Sequence, residues 1–241
     1  MGLIDIVSAP PCRNYAEVLA RLQAVNDALP ADDGLRWFGA LYADMTAAVA
    51  RHAHANRFLE PRFLEALDCT FAELYFAALA SFLRDEDSAP GAWYPLFERR
   101  FARDVAPLQF AVAGVNAHIN RDLPVALVAT FEQFALAPTR AGEHYVDYRA
   151  VDQILAVVHA EVKTRLITGL LAAGDVALGP VDDAIELWSL EHARESAWRT
   201  AELRWHVRDI DFLAEQQLAT LDGLVGLASR GILRPGLALL A

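Results

Sequence analysis

The sequence predicts an all-α protein, a single multi-helix domain of about seven or eight helices around a buried central helix. Three observations carry this. Ala and Leu dominate, and apolar residues recur at three- and four-residue spacing. The alternating β-branched runs of a half-buried strand are absent. Short breaks rich in Pro, Gly and Asp separate the periodic stretches, and none is long enough to divide the chain into domains.

The elements follow in order. Residues 1–13 read as an N-terminal extension. Asn14 followed three residues later by Glu17 has the form of a capping box and opens a helix to about Ala28. "LPADDG" ends it, and Asp33 caps a second helix reaching His54. Pro61 suits the first turn of a third helix to about Arg84, with an apolar stripe of Phe63, Leu67, Phe71, Leu74, Phe76 and Leu79. "DEDSAPG" is a loop, and the aromatic "AWYPLFERRF" a short helix. A central helix starts near Pro107 and ends near Leu136. After the turn "APTRAGE", a long helix runs from about His144 to Ala173. A helix capped by Asp182 or Asp183 reaches Val207, and a last one runs from Asp211 to Arg230, closed by Gly231. The apolar tail 231–241 is expected to dock on the body.

The central helix is apolar on every side except for "NAHINRD", residues 116–122. A helix apolar all round belongs in the interior. Its polar groups are therefore expected to be buried, and each must find a partner or cost about 1–3 kcal/mol. At 100° per residue, His118 and Asp122 share one face, while Asn116 and Asn120 fall nearly opposite. Pro124 removes the amide that would bond the carbonyl of Asn120, so a kink is expected beside Asp122. Gly114 is expected to let another backbone approach. Spacing alone proves nothing: with 7 His and 32 acidic residues, about two acid–His pairs four apart arise by chance, the helical neighbour distance, and two occur, His118/Asp122 and Glu202/His206. The burial argument distinguishes the first pair.

Three readings of that pair stand side by side. Asp122 orients His118 in a purely structural network, with Asn116 and Asn120 pinning neighbouring segments. Alternatively His118 is a general acid/base whose tautomer Asp122 fixes, with Asn116 and Asn120 as supporting catalytic groups. In the third, both bind a divalent metal such as zinc. His144 and Asp147, three apart in the first turn of the long helix, complete a His118/Asp122/His144/Asp147 metal set if that end packs on the central helix; the competing reading makes them partners of the helix dipole. His159 reads as a core or boundary residue, and His52 and His54 as a solvated helix end. Trp188, Trp198 and Trp205 read as core or as the wall of a pocket. Glu195, Arg199 and Glu202 read as a helix-surface ion-pair ladder.

Composition excludes several classes. The 241 residues are 55% hydrophobic with a net charge of −11, and the mean hydropathy is +0.22. The scattered basic residues and negative charge disfavour nucleic acid and anionic membrane surfaces. No window approaches the ~20 uninterrupted apolar residues of a membrane span, so no integral membrane association is expected. Two cysteines, Cys12 and Cys69, form no CxxC and no disulfide framework. With no basic n-region at the N-terminus, the expected location is cytoplasmic. GxSxG, Walker, GxGxxG, HExxH and EF-hand signatures are absent, as is the paired ExxH of di-iron bundles.

The stretches "RFLEPRFLEALDCTFAELYFAAL", "PLQFAVAGVNAHINRDLPVAL", "DYRAVDQIL" and "WSLEHARESAWRTAE" together resemble the bacterial family known as domain of unknown function 5995, over most of the chain. "NAHINRDL" is the most specific of them. The resemblance implies the domain but no activity. "AVAGVNAHINRDLPVAL" also faintly resembles the His, Asp four residues on, then Pro of all-α zinc-dependent phospholipases C and nucleases. That likeness implies that His118 and Asp122 bind zinc. This chain departs from the pattern in lacking an N-terminal Trp ligand and a second His with Glu four residues on.

The sequence thus leads to an enzyme acting on an apolar or lipid-like small molecule, with His118 and Asp122 as acid/base pair or metal ligands. The alternative is a non-catalytic helical ligand-binding or interaction module, with homo-oligomerisation open in either case.

Overall fold

The computed structural model describes residues 2–172 and 190–235, and among them only helices and connecting turns occur. The short α1 (Leu3–Val7) precedes α2 (Tyr15–Ala28), α3 (Leu35–His54), α4 (Pro61–Arg84), α5 (Tyr94–Glu98) and α6 (Pro107–Ala117). A π-helical turn, His118–Asp122, joins α6 to α7 (Leu123–Gln133). Then come α8 (Glu143–Ala172), α9 (Leu190–Val207) and α10 (Asp211–Ile232). The start of the helix expected after Asp182 or Asp183, Trp188, the side chain of His159 and the tail from 236 lie outside the described residues.

Local signals set most boundaries. Asn14 Oδ1 accepts from the Glu17 amide at 2.9 Å, while Glu17 reaches back to the amide of Arg13, one residue beyond the N-cap, at 2.9 Å. Asp33 Oδ1 accepts from the Leu35 amide at 3.0 Å with Gly34 at the cap position. Pro61 is in the first turn of α4, where its missing N–H would have no partner anyway. The structure adds detail to two of these segments. The N-terminal extension contains α1, which packs on α2 and α4 and buries Ile6 and Val7. The last helix continues through Gly231 to Ile232, and Leu233 is buried just beyond it.

The core lies among α3, α4, α6 and α7, with α2, α8, α9 and α10 packed around them. Phe63, Tyr75, Phe76 and Leu79 of α4 are fully buried, each stabilising the fold by roughly 1.5–3 kcal/mol through apolar burial. Although charged residues interrupt it, α4 is long and apolar enough to cross a membrane by length and composition alone, with a window of mean hydropathy 1.4. Its apolar face packs against other helices of this chain.

The central stretch is continuous and buried, and the irregularity expected beside Asp122 includes a π turn. The Leu123 amide donates to the carbonyl of His118, five residues back. Pro124 cannot donate and crowds the preceding turn, and the backbone there widens into one π turn. Such π-bulges recur at functional sites. Gly114 also differs from expectation: a Cβ there would lie 2.4 Å from Phe38 Cγ, so its bare backbone admits an aromatic side chain and not another main chain.

Candidate functional site

His118 and Asp122 meet on the inner side of the π turn, with Nδ1 3.0 Å from Oδ2. Asp122 also accepts from Trp93 Nε1 at 2.9 Å on Oδ2 and from an Arg121 guanidinium nitrogen at 2.9 Å on Oδ1. With indole and guanidinium as pure donors, the carboxyl group acts as acceptor, and His118 Nδ1 carries the proton. Burial pushes the imidazole below its ordinary pKa, against the opposing pull of Asp122. The ring is therefore neutral, and Nε2 holds a lone pair.

That lone pair has no partner among the described residues. His118 lies in the wall of a cavity of about 80 Å³, stacked on Phe71 at 3.4 Å between centroids and with Tyr42 edge-on at 4.6 Å. α3 supplies Tyr42, Met45, Thr46 and Val49 to the lining, and α4 supplies Leu64, Leu67, Asp68 and Phe71. Val115 and Ile119 flank His118, Val151 and Leu155 come from α8, and Arg194 comes from α9. Arg194 is committed elsewhere: Nε donates to Asp152 at 2.6 Å and a terminal nitrogen to the Tyr148 carbonyl at 2.9 Å.

Among the described residues, four that line the cavity carry a buried polar atom without a partner: His118 Nε2, Asp68 Oδ2, Tyr42 Oη and Thr46 Oγ1. Buried polar groups are normally paired, so their gathering around one cavity is the distinctive feature of this region. Thr46 makes the point locally. Thr70 and Thr130 return their hydroxyls to the carbonyls of Ala66 and Ala126, at 2.9 and 2.7 Å, whereas Thr46 leaves its own helix unbonded. Burial, reinforced by Glu65, pushes the Asp68 carboxyl up to about 7. Burial, then the charge of Asp68, raises the Tyr42 hydroxyl well above its ordinary value.

The other sequence candidates go elsewhere. Asn120 Nδ2 donates to Asn116 Oδ1 at 2.9 Å. Asn116 Nδ2 in turn donates to the Val225 carbonyl at 3.1 Å and to Ser229 Oγ at 3.0 Å. This pair fastens α10 to α6 and does not join the His118 network. Nor does the four-residue metal set assemble. Asp147 accepts from the amides of Leu59 and Glu60, at 3.0 and 2.6 Å, capping α4, and the His144 ring lies 4.6 Å from that of Phe63. Asp122 is already engaged by three donors. Among the described residues no group of three or more His, Cys, Asp or Glu could hold a metal ion. Trp198 is fully buried, and Glu195 and Glu202 both pair with Arg140 across the surface.

Sequence reasoning missed Asp68, Tyr42, Thr46 and Arg194. For Asp68 a signal existed: it follows Leu64 by four residues and precedes Phe71 by three, on the apolar stripe of α4, where the burial test applied to His118 would have flagged it.

The class that this fold and cavity define is an all-helical protein with an enclosed His–Asp pair. The chain matches the family of unknown function DUF5995 over residues 15–235 and belongs to it. No curated protein and no solved structure matches the chain.

Proposed function

We propose that this protein is an acid–base enzyme acting on a small apolar molecule held in the cavity, with His118 Nε2 as the general base and Asp122 as the group that fixes its tautomer. One observation carries this reading: a neutral imidazole, anchored through Nδ1 and with Nε2 unpartnered among the described residues, stands in the wall of a mostly apolar cavity. A general base needs an available lone pair, a fixed orientation and room for a substrate within hydrogen-bond reach. The mostly aliphatic and aromatic lining suits an apolar molecule. On the same reading the protein works in the cytoplasm, with Cys12 and Cys69 as free, buried thiols.

The test uses nitrogen-15 NMR of the histidine rings together with His118→Gln. The expected result is a His118 ring protonated on Nδ1 that titrates below the ordinary histidine value, and a folded variant that loses turnover of small molecules from a cell extract followed by mass spectrometry. A ring protonated on Nε2, or a titration at the ordinary histidine value, overturns the reading. A structural network is the second reading, and the bracing of α10 by Asn116 favours it. It expects His118→Gln to lower the Tm and to leave extract metabolites unchanged.

A further inference from the structure

The unpartnered atoms around the cavity include donors as well as a base. Asp68 and Tyr42 come from α4 and α3, and His118 from the π turn. The Tyr42 ring stands 4.6 Å from the His118 ring, and its hydroxyl feels the charges of both Asp68 and Asp122. Tyr42 and Asp68 thus line the same cavity as the base. Neither the Tyr42 hydroxyl nor Asp68 Oδ2 has a partner among the described residues.

We propose that Asp68 and Tyr42 together hold the carbonyl oxygen of a small, neutral, apolar ketone or enone while His118 Nε2 takes a proton from the carbon beside that carbonyl. This rests on the reading of His118 as a base and adds the substrate class and the acid partners.

Burial favours the protonated form of both groups, with the Asp68 carboxyl at about 7 and the phenol far above neutrality. Each can then donate an O–H···O hydrogen bond to an oxygen on which negative charge develops. Donors of this kind in a water-poor site act mainly on the transition state. A carboxylic acid kept neutral by an apolar site to serve as such a donor is an established device in other enzymes. A neutral ligand follows from the charges. Arg194 is already paired with Asp152, and Asp68 would repel an anion whenever it ionised.

The step balances without a co-reactant. The C–H bond breaks, its proton goes to Nε2, and its electron pair forms a C=C bond as the carbonyl π pair moves onto oxygen. Asp68 and Tyr42 stabilise that oxygen. With a β,γ-unsaturated ketone the product of this step is a dienolate, and return of the proton from Nε2 to its γ-carbon re-forms the carbonyl with the double bond shifted into conjugation; with other ketones or enones return to the same carbon gives hydrogen exchange only.

The test uses two probes on the full chain. 4-Fluorophenol, whose oxygen mimics the enolate oxygen, is titrated by fluorine-19 NMR. 2-Cyclohexen-1-one is incubated in D2O, and deuterium uptake is read by mass spectrometry. Wild type is expected to bind the phenol and to catalyse exchange. Asp68→Ala should weaken phenol binding at least tenfold, and Tyr42→Phe several-fold. Asp68→Asn keeps an N–H donor and should recover part of the affinity, and it also serves if the alanine variant fails to fold. His118→Gln should keep phenol binding and lose exchange at least a hundredfold. Exchange that depends on His118 but is unchanged in both Asp68 variants overturns this proposal and leaves the base reading standing. Exchange unaffected by His118→Gln overturns both. A wild-type protein that neither binds the phenol nor exchanges the enone overturns the carbonyl assignment.

Discussion

Asp68→Asn offers a quantitative check on the buried carboxyl group. In the folded protein burial lifts its pKa from 3.8 to about 7, so the folded state holds this proton more tightly than the unfolded chain. Stability then falls as pH rises from about 4 to about 7 and levels off above that. At about 1.4 kcal/mol per pKa unit, the whole interval is worth on the order of 4 kcal/mol, and the part between pH 5 and 7 about 3 kcal/mol. Asparagine has no proton to lose and keeps a similar shape. Urea unfolding of both proteins at pH 5 and pH 8 isolates the effect. Asp33 and Asp152, also raised mainly by burial, and His118, lowered by it, titrate in both proteins and largely cancel in the difference. The stability of the variant relative to wild type should rise by about 3 kcal/mol from pH 5 to pH 8. Parallel pH dependences would refute the reasoning, because they would mean that Asp68 is solvated or paired. A typical domain has only ~5–15 kcal/mol of net stability. An uncompensated carboxyl group of this size needs a reason, and a role at a site is a common one.

Three further outcomes follow from the packing. Gly114→Ala forces Phe38 out of its seat against α6; it should cost roughly 1–3 kcal/mol by overpacking, read as a lower Tm, and displace the His118 ring resonances because Phe38 is edge-on to that ring. Asn116→Ala removes the donor to Val225 and Ser229. It should cost about 1–3 kcal/mol and speed hydrogen exchange along α10, while the His118 tautomer stays as in wild type; a change of tautomer would show that the two networks are one. Asp147→Ala uncaps α4 and should cost about 0.5–2 kcal/mol in urea unfolding, without altering zinc content measured by elemental analysis.

Much of the scaffold was legible because its signals are local. Asn14 with Glu17, Pro61 at the start of α4, and Asp33 ahead of α3 act within one helical turn, where sequence spacing and spatial distance agree. The His118–Asp122 and Asn116–Asn120 contacts were legible for the same reason: residues four apart on a helix are neighbours. Partners beyond that range were not legible. Nothing in the spacing of His144 and Asp147 says that Asp147 turns to cap α4 rather than to face the π turn. Gly114 announced a close approach but not that a phenyl ring would make it. Pro124 announced an irregularity, and only the backbone shows that the chain resolved it by widening a turn. The cavity itself arises from α3, α4, α8 and α9 meeting around the π turn. Its acid, Asp68, sits inside a stripe that reads as uniform core unless each polar interruption is asked how its burial is compensated.

The π turn sets two consecutive residues to work in opposite directions. Arg121 reaches outward to Asp222 on α10 at 3.3 Å and inward to its own neighbour, Asp122. The aim of the imidazole is thereby wired to the C-terminal helix through a short relay of charged hydrogen bonds. Whatever grips or peels that helix will steady or loosen the lone pair of His118, although it touches neither the ring nor the cavity.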